Sequence, residues 1–525
     1  MRALALLGAL AVLAGCARAP DRRPNVLLIS LDSVRRDMLG CYGGRFGGRS
    51  PSPALDRLAS EGVRIEDALS STSWTLPAHA TLFTGEPELV HGLEQDGQRL
   101  PDELATLPER LRDAGYRTAG VYSGPYLDPR FGFGRGFERY RAGYGPELAQ
   151  AARAAAEGEA RVHAAAGADA RAELQALQAN AQAERALEIA SHRDASSRAV
   201  TELVLEELAV ADERPFFVFA HYFAPHYDYV PPPPYDRAFD PDYSGTADGR
   251  DYARRLAAPA ESAGDVAHLR ALHAGELAWT DAEIGRVLDE LARRGLAANT
   301  LVVVVADHGD EFLEHGALGH RRTLYPEVVR VPVLLRWPAG LPAGETRPGP
   351  IGLAAVTPSV LALLAGRASE APLLASEPHA AVLGRLVLDP SGERADVRVL
   401  ESFRRDGLCI LRERALEGGG ETLRWIDSRA HPGEPAEAWS SDFGDAAARS
   451  ALASFRDEYA RLVRARHEPP LAEKAADLLA AFRGLGYAGQ EARIGALASS
   501  ALVLPPPGEG MLGASGTPAK PGEER

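Results

Sequence analysis

The stretch between residues 71 and 85 contains the residue types that a covalent catalytic site would need. Several hydroxyl side chains come first, Pro77 follows, and the stretch ends at Gly85. Proline is tolerated in the first turn of a helix and glycine commonly ends one, so Thr75 is predicted to lie just ahead of a helix amino terminus. Free N–H groups and the helix dipole there would favour ionisation of the Thr75 hydroxyl, which makes it a candidate nucleophile. The alternative is that Thr75 is only the N-cap of this helix.

Carboxylates and an imidazole follow two strongly apolar segments. Asp32 comes after NVLLISL, and Asp307 and His308 come shortly after LVVVV. Open α/β sheets carry their chemistry at the carboxyl ends of such strands. Together with the Thr75 oxygen, these side chains are predicted to bind one divalent cation, either Ca²⁺, Mn²⁺ or Zn²⁺. Taken singly, each of them also has an ordinary explanation as a cap or turn residue.

Histidines accompany this set. His221 and His226 form one pair, and His315 and His320 form another, each in or just after a predicted strand end. Histidines near a bound anion can neutralise it or donate a proton to a leaving oxygen. His79, four residues after the candidate nucleophile, is expected to orient Thr75 or bind the anion, with simple packing as the alternative.

The elements that position these residues alternate between strands and helices. Such alternation predicts an α/β fold with a large, mostly parallel sheet between two layers of helices. The predicted strands and helices of this catalytic domain, residues 24–368, are the following: strands at 25–31, 116–122, 215–223, 301–305 and 331–337, and helices at 53–60, 104–114, 194–208, 268–291 and 357–365. An Ala-rich helical insertion is predicted at 147–190.

The pattern changes after about residue 370. Short antiparallel strands are predicted at 397–400, 407–414 and 421–426, followed by helices at 446–466 and 472–484. They indicate a smaller α+β domain over residues 390–495. The last segment, 504–525, is rich in Pro, Gly and charge and is predicted to be disordered.

Composition narrows the possible partners. The net charge is −15, which argues against nucleic acid or an anionic membrane surface as the main partner. Of the three cysteines, Cys41 and Cys409 lie in the body of the chain. We expect two separate buried thiols, although pairing in an oxidising compartment is the alternative.

Residues 1–20 are predicted to be a targeting segment. Arg2 precedes an apolar run that is too short to span a bilayer, and the run ends in LAGC with Cys16 last. This tetrad resembles the lipobox of bacterial lipoproteins, in which the cysteine is lipidated. We therefore expect export to the periplasmic side of a bacterial membrane and anchoring through Cys16 alone. A plain cleaved signal peptide is the alternative.

Several motifs in order resemble those of the sulfatase family within the alkaline phosphatase superfamily. They are NVLLISLDSVRRDMLGCYG, LPAHATLFTG, HYFAPHYDYVPPPPY and ADHGDEFLEHGALGH. The resemblance implies an alkaline phosphatase-like fold, with Asp32, Asp307 and His308 as metal ligands. It places Thr75 at the nucleophile position. It also implies that His226 and His320 bind the substrate anion or protonate the leaving group.

The chain departs from the family pattern at the reacting residues. Sulfatases carry Cys or Ser, oxidised to formylglycine, where this chain has Thr75, and Arg where it has His79. Ser33 replaces the second Asp of a usual pair, and Ser123 and Pro125 replace a Lys and a His, so Ser123 is the candidate substrate-binding residue there. Threonine cannot form the formylglycine aldehyde. A phosphorylated threonine, however, can be cleaved by attack at phosphorus.

These observations predict a metal-dependent hydrolase that cleaves sulfate or phosphate and phosphonate esters through a covalent Thr75 intermediate. The substrate would be a small molecule or a glycan or lipid ester. One alternative is a transferase of the phosphoethanolamine or glycerophosphate type acting on a glycan or lipid. Another is a catalytically silent binding protein of the same fold.

Overall fold

The computed structural model describes residues 23–144, 196–250, 262–375, 381–388, 397–416 and 420–471, with three isolated positions besides. Four predictions fall outside the described residues. They concern the targeting segment with Cys16, nearly all of the insertion at 147–190, the helix at 472–484 and the tail at 504–525.

The strands and helices have the following bounds. The strands are β1 (Asn25–Leu31), β2 (Val63–Ile65), β3 (Ala68–Leu69), β4 (Arg117–Tyr122), β5 (Arg139–Ala142), β6 (Phe216–Tyr222), β7 (Thr300–Ala306), β8 (Glu311–Phe312), β9 (Leu318–Gly319), β10 (Arg330–Val331), β11 (Val333–Arg336), β12 (Glu345–Arg347), β13 (Ile351–Gly352), β14 (Val382–Leu388), β15 (Arg398–Arg405), β16 (Leu408–Ala415) and β17 (Glu421–Asp427). The α-helices are α1 (Pro53–Ser60), α2 (Thr75–Thr84), α3 (Glu88–His91), α4 (Leu107–Asp113), α5 (Ser196–Ala209), α6 (Ala263–Arg293), α7 (Pro326–Val329), α8 (Val356–Leu364) and α9 (Ala446–Arg464).

The main sheet has eight strands in the order β12-β2-β11-β7-β1-β6-β4-β5. The central strands β7, β1, β6 and β4 run parallel, whereas β11 is antiparallel to both of its neighbours. The mostly parallel sheet is therefore confirmed. Consecutive residues of β1 and β7 are buried on both faces, which explains why these segments are continuous apolar runs instead of alternating ones.

Local capping chemistry sets the starts of α4 and α6 and the end of α2. The helix α6 begins five residues before the predicted start at 268, because Ser262 and Asp265 form a capping box. Likewise α4 starts later than predicted, where Thr106 and Glu109 form a second capping box. The helix α2 ends as predicted at Gly85, whose φ of 76° is the left-handed conformation typical of a helix stop.

The C-terminal unit is an antiparallel sheet of four strands, β14-β15-β16-β17, against which α9 packs. Three of these strands were predicted. The prediction missed β14, and the unit therefore begins before the predicted boundary at 390. Gly384 and the charged Arg385 interrupt the apolar pattern of β14, which hides it from a reading based on hydrophobicity alone.

Buried ion pairs join this unit to the catalytic domain. Arg385 Nε donates to Glu94 Oε1 over 2.8 Å, and Arg385 also pairs with Glu401 of β15. Arg466 contacts the same Glu94 oxygen at 2.8 Å. The backbone N–H of Arg385 donates to Ser71 O over 2.7 Å, in the segment that leads to Thr75.

The structure also bears on the cysteines and on membrane-spanning helices. Cys41 and Cys409 are both free thiols, the first half-buried and the second buried. Among the described residues, no helix combines the length and the apolar character needed to cross a bilayer.

Candidate active site

Parallel strands and a helix start bring the predicted metal ligands together. Leu31 and Ala306 lie opposite each other at the ends of β1 and β7, so Asp32 and Asp307 leave the sheet side by side. Thr75 is the first residue of α2, and the preceding Trp74, at the N-cap position, makes no side-chain cap bond. The N-cap alternative for Thr75 is therefore wrong, and its buried hydroxyl is free of that role.

The hydroxyl faces the cluster. Thr75 Oγ1 lies 3.4 Å from Asp32 Oδ2 and 3.4 Å from His308 Nε2. His308 Nε2 lies 3.5 Å from Asp307 Oδ2. His308 Nδ1 donates to the Gly309 carbonyl over 3.1 Å, which leaves the lone pair of Nε2 facing the carboxylates.

The electrostatics of this cluster fit a cation. Burial raises the pKa of Asp32 to about 7, and burial together with Asp32 raises the pKa of Asp307. Asp307 Oδ2 is buried without a hydrogen-bond donor in the described part of the chain. Two buried carboxylates with an orphaned oxygen and a prepared imidazole are what a divalent cation would neutralise, so the residues present fit the predicted ion.

Ser33 holds both carboxylates in place. Its backbone has a φ of 58°, in the left-handed region that a side chain other than glycine rarely adopts. In this conformation its N–H donates to Asp307 Oδ1 over 3.2 Å and its hydroxyl donates to Asp32 Oδ1 over 2.9 Å. His273 Nε2, from α6, donates to the Ser33 carbonyl over 3.2 Å. The left-handed turn is thus a positioning device for the two carboxylates.

A second group of side chains stands beside the cluster. The rings of His226 and His320 are 5.0 Å apart, and the His320 ring is 4.3 Å from that of His308. His320 Nδ1 donates to Asp310 Oδ1 over 2.7 Å, and the Tyr229 hydroxyl donates to the other Asp310 oxygen. His320 Nε2 is buried without a partner among the described residues.

Both imidazoles are neutral in this state. Burial and the neighbouring His320 keep the pKa of His226 well below its usual range, and burial and His308 do the same for the pKa of His320. The Nδ1–H of His320 is fixed by Asp310, so Nε2 carries the lone pair. The arrangement aims a basic nitrogen into the site, and a bound anion would favour its protonation.

His79 is placed by two hydrogen bonds. Its Nδ1 donates to the Thr75 carbonyl over 2.9 Å, and its Nε2 accepts from the Ser30 hydroxyl over 2.9 Å. Burial lowers the pKa of His79 to about 3, so it is neutral. Of the roles that the sequence left open for His79, this geometry favours orientation of Thr75, because the ring links the start of α2 to β1.

Two other predicted residues lie differently. The Ser123 hydroxyl donates to the His221 carbonyl over 2.8 Å and accepts from the Phe223 N–H over 3.0 Å, so it links the ends of β4 and β6. Both hydrogen bonds of the Ser123 hydroxyl are thus made within the fold. His315 stacks on Tyr325, with its Nε2 3.5 Å from Glu327, and it does not join the cluster.

Sequence reasoning assigned no role to Asp310 and Tyr229. Asp310 stands three residues after Asp307 in the motif ADHGDEF. The motif therefore contains it, but only the fold shows that it contacts His320. Nothing in the sequence around Tyr229 indicated its contact with Asp310.

This chain is similar to known sulfatases. Residues 24–366 match the family model described as Sulfatase. The chain is 28% identical over 334 residues to YidJ, an uncharacterized sulfatase of Escherichia coli (strain K12), and the match covers 61% of this chain and 64% of that relative. It is 21% identical over 411 residues to N-acetylglucosamine-6-O-sulfatase of Bacteroides thetaiotaomicron, covering 64% and 67%.

A solved structure bears on the fold. The phosphonate monoester hydrolase of Agrobacterium radiobacter has a TM-score of 0.61 at 20% identity, covering 84% of this chain and 95% of that one. This likeness confirms the predicted alkaline phosphatase-like fold. The match spans about two thirds of the length of the two curated relatives. From the family model that matches most of its length, the chain belongs to the Sulfatase family.

Proposed function

We propose that this protein is a metal-dependent hydrolase that cleaves phosphate, phosphonate or sulfate esters through a covalent intermediate on Thr75. The observation that carries the proposal is the position of the Thr75 hydroxyl at the start of α2, 3.4 Å from both Asp32 and His308. The named activities of two matched proteins, a sulfatase and a phosphonate monoester hydrolase, support an ester of this class.

Asp32, Asp307, His308 and Thr75 would hold one divalent cation. When bound, it supplies positive charge that lowers the pKa of the Thr75 hydroxyl and neutralises anionic substrate oxygens. The free N–H groups at the start of α2 also stabilise negative charge on Thr75 and on the substrate. Ser33 orients the two carboxylates, and His79 orients Thr75.

The reaction follows from the remaining groups. The ionised Thr75 Oγ1 attacks phosphorus or sulfur in line, and the bond to the leaving oxygen breaks as the new ester forms. His320, protonated at Nε2 once the anion is bound, gives that proton to the leaving oxygen, and Asp310 stabilises the imidazolium. Water then attacks the phosphorus or sulfur of the Thr75 ester while His320 Nε2 takes a proton from that water. The bond to Thr75 Oγ1 breaks, which releases the acid product and restores the ionised Thr75. His226, beside His320, binds the anion.

Phosphorus esters are favoured over sulfate esters. A formylglycine hydrate can expel sulfate through its second hydroxyl, whereas a sulfated threonine has no second hydroxyl. A phosphorylated threonine can be attacked by water at phosphorus. The threonine therefore fits a phosphate or phosphonate ester best.

The location of the enzyme is proposed from the sequence alone. The apolar run that ends in LAGC supports export and lipid attachment at Cys16, which would hold the catalytic domain at the periplasmic face of a membrane.

The test uses the purified chain from residue 21 onward, wild type and Thr75→Ala, with matched aryl phosphate, phosphonate and sulfate esters and added Mn²⁺, Zn²⁺ or Ca²⁺. We expect wild-type turnover of a phosphorus ester and a loss of at least about 10³-fold in Thr75→Ala. Mass spectrometry of quenched wild type should find the modified Thr75 peptide. Undiminished turnover in Thr75→Ala would refute the proposal, and turnover that requires an added alcohol acceptor would identify a transferase instead.

A further inference from the structure

We propose that His221 is a further ligand of the cation held by Asp32, Asp307 and His308, and that the second imidazole makes the site selective for a borderline transition ion such as Zn²⁺ over Ca²⁺. The proposal rests on the metal centre of the proposed function and deepens it. It concerns one residue that the mechanism above does not use.

His221 is the penultimate residue of β6, the strand that pairs with β1 on the side away from β7. Its side chain is fully buried, and neither Nδ1 nor Nε2 has a hydrogen-bond partner in the described part of the chain. A buried imidazole normally satisfies at least one nitrogen, because an unpaired polar group in the interior costs free energy. Both nitrogens of His221 are therefore open to a ligand, and their position decides which one they can reach.

The geometry directs one of these nitrogens to the metal cluster. His221 Nε2 lies 3.4 Å from Asp32 Oδ2, the oxygen that also faces Thr75. A nitrogen of His221 also falls within 4.8 Å of a ligand atom of Asp307. Two neighbouring ligands that are each about 2.1 Å from one four- or five-coordinate ion lie about 3.0–3.6 Å apart. The spacing therefore suits two ligands of one ion, and it is long for a charge-assisted hydrogen bond.

The neighbouring His79 gives an internal contrast. It is equally buried and belongs to the same group of side chains, but its two nitrogens are taken by the Thr75 carbonyl and the Ser30 hydroxyl. His79 thus has both nitrogens hydrogen-bonded, whereas in the described part of the chain neither nitrogen of His221 is. Position 33 offers no carboxylate, since it is a serine whose hydroxyl donates to Asp32. The imidazole of His221 supplies the ligand from a different strand.

The change of ligand type has a consequence for selectivity. Ca²⁺ prefers six to eight oxygen ligands, whereas imidazole suits Zn²⁺, Co²⁺ and related ions. A set of two carboxylates, one hydroxyl and two imidazoles therefore belongs to the second class. With His308 as the single nitrogen ligand, most ligands of the site would be oxygens.

The experiment measures metal binding without substrate. Chelator-stripped full-length protein is titrated with Zn²⁺, Co²⁺ and Ca²⁺ against a chromophoric competitor, and bound metal is counted by elemental analysis. The variants are His221→Phe and the control His315→Phe, which removes a half-buried histidine that also has unpartnered ring nitrogens but is stacked on Tyr325 outside the cluster. Circular dichroism verifies that each variant folds, with His221→Gln as the substitute if the phenylalanine does not fit.

We expect one equivalent of Zn²⁺ bound more tightly than Ca²⁺, and at least about ten-fold weaker Zn²⁺ and Co²⁺ binding in His221→Phe with no change in His315→Phe. The visible absorption of bound Co²⁺ should also change in His221→Phe alone. Three results would overturn the inference. The first is an unchanged Zn²⁺ affinity in His221→Phe, and the second is tighter binding of Ca²⁺ than of Zn²⁺. The third is that His221→Phe loses only a second, separate equivalent of Zn²⁺. Asp307→Asn distinguishes failure of this inference from failure of the proposed metal centre. If Asp307→Asn still bound the metal, the metal centre of the proposed function would be refuted.

Discussion

At the scale of single residues, the proposed mechanism divides the site into a part that activates the nucleophile and a part that serves the leaving group. Thr75, Asp32 and His308 form the first part, and His320 with Asp310 forms the second. The first part acts on every substrate. The second matters only when the departing oxygen is basic enough to need a proton, and this difference can be measured.

His320→Gln should lower kcat by about 10²- to 10⁴-fold for an alkyl phosphate ester, because the departing alkoxide then lacks its proton donor. A 4-nitrophenyl ester, whose leaving group is stable as an anion, should lose far less. Asp310→Asn should follow the same pattern more weakly, since Asp310 acts through His320 Nδ1. The measurement is steady-state kinetics on both esters, and equal losses on the two would argue against His320 as the acid.

The residues at the site differ in how far the sequence could predict them. Asp32, Asp307 and His308 were predictable because each follows an unmistakable apolar strand. The contact of Asp310 with His320 was not, because it depends on the short β8–β9 hairpin, which brings residues ten apart together. Ser123 has the residue type of a ligand contact, but its hydroxyl links two strands, which only the tertiary structure shows.

At the scale of elements, the helix α1 illustrates a cap supplied from a distance. Ser52 precedes it and makes no side-chain cap bond. Instead, Asp281 of α6 accepts from the N–H groups of Ala54 and Leu55 over 2.8 and 2.9 Å. The earlier start of α6 follows from its own local capping box, whereas the contact of Asp281 with α1 does not. This pairing could not be predicted, because its partners are more than 200 residues apart in the chain.

Asp281→Ala should lower the free energy of unfolding by about 1–2 kcal/mol, since two N–H groups at the start of α1 lose their acceptor. Asp281→Asn keeps one acceptor and should lose less. Urea unfolding monitored by circular dichroism provides both values. A change below a few tenths of a kcal/mol in Asp281→Ala would show that water caps the helix equally well.

The same variants predict a pH dependence. Burial raises the pKa of Asp281 in the folded protein from 3.8 to about 7. Between these values the folded state holds a proton that the unfolded state has lost, so this group contributes stability at low pH that disappears as the pH rises through about 7. Asp281→Asn has no such proton, and its stability relative to wild type should therefore improve from pH 5 to pH 8.

At the scale of the whole molecule, the C-terminal sheet is fixed to the segment that carries the nucleophile. The charged pairs Arg385–Glu94 and Arg466–Glu94 are fully or almost fully buried, and Gly384 lets β14 approach Ser71 closely. A Cβ at position 384 would lie 3.3 Å from the Ser71 carbonyl and 2.6 Å from Ser402 Oγ. The two sequence units thus form one packed body around residues 71–75.

Arg385→Ala should lower the free energy of unfolding by about 3 kcal/mol, because the buried Glu94 and Glu401 lose their shared cation and keep only Arg466 and Arg412, respectively. The control is Arg398→Ala, which breaks an exposed 2.9 Å pair with Glu413 and should cost no more than about 1 kcal/mol. Thermal and urea unfolding compare the two. Similar small effects in both would mean that the buried pairs do not hold the units together.

The buried Arg385–Glu94 pair also constrains how this chain can evolve by recombination. A chimera that took its C-terminal strands from a relative without an arginine at position 385 would leave the buried Glu94 without its Arg385 partner. A crossover between residues 94 and 385 would therefore separate partners that must be inherited together. The C-terminal sheet should behave in such exchanges as part of the catalytic unit and not as an interchangeable module.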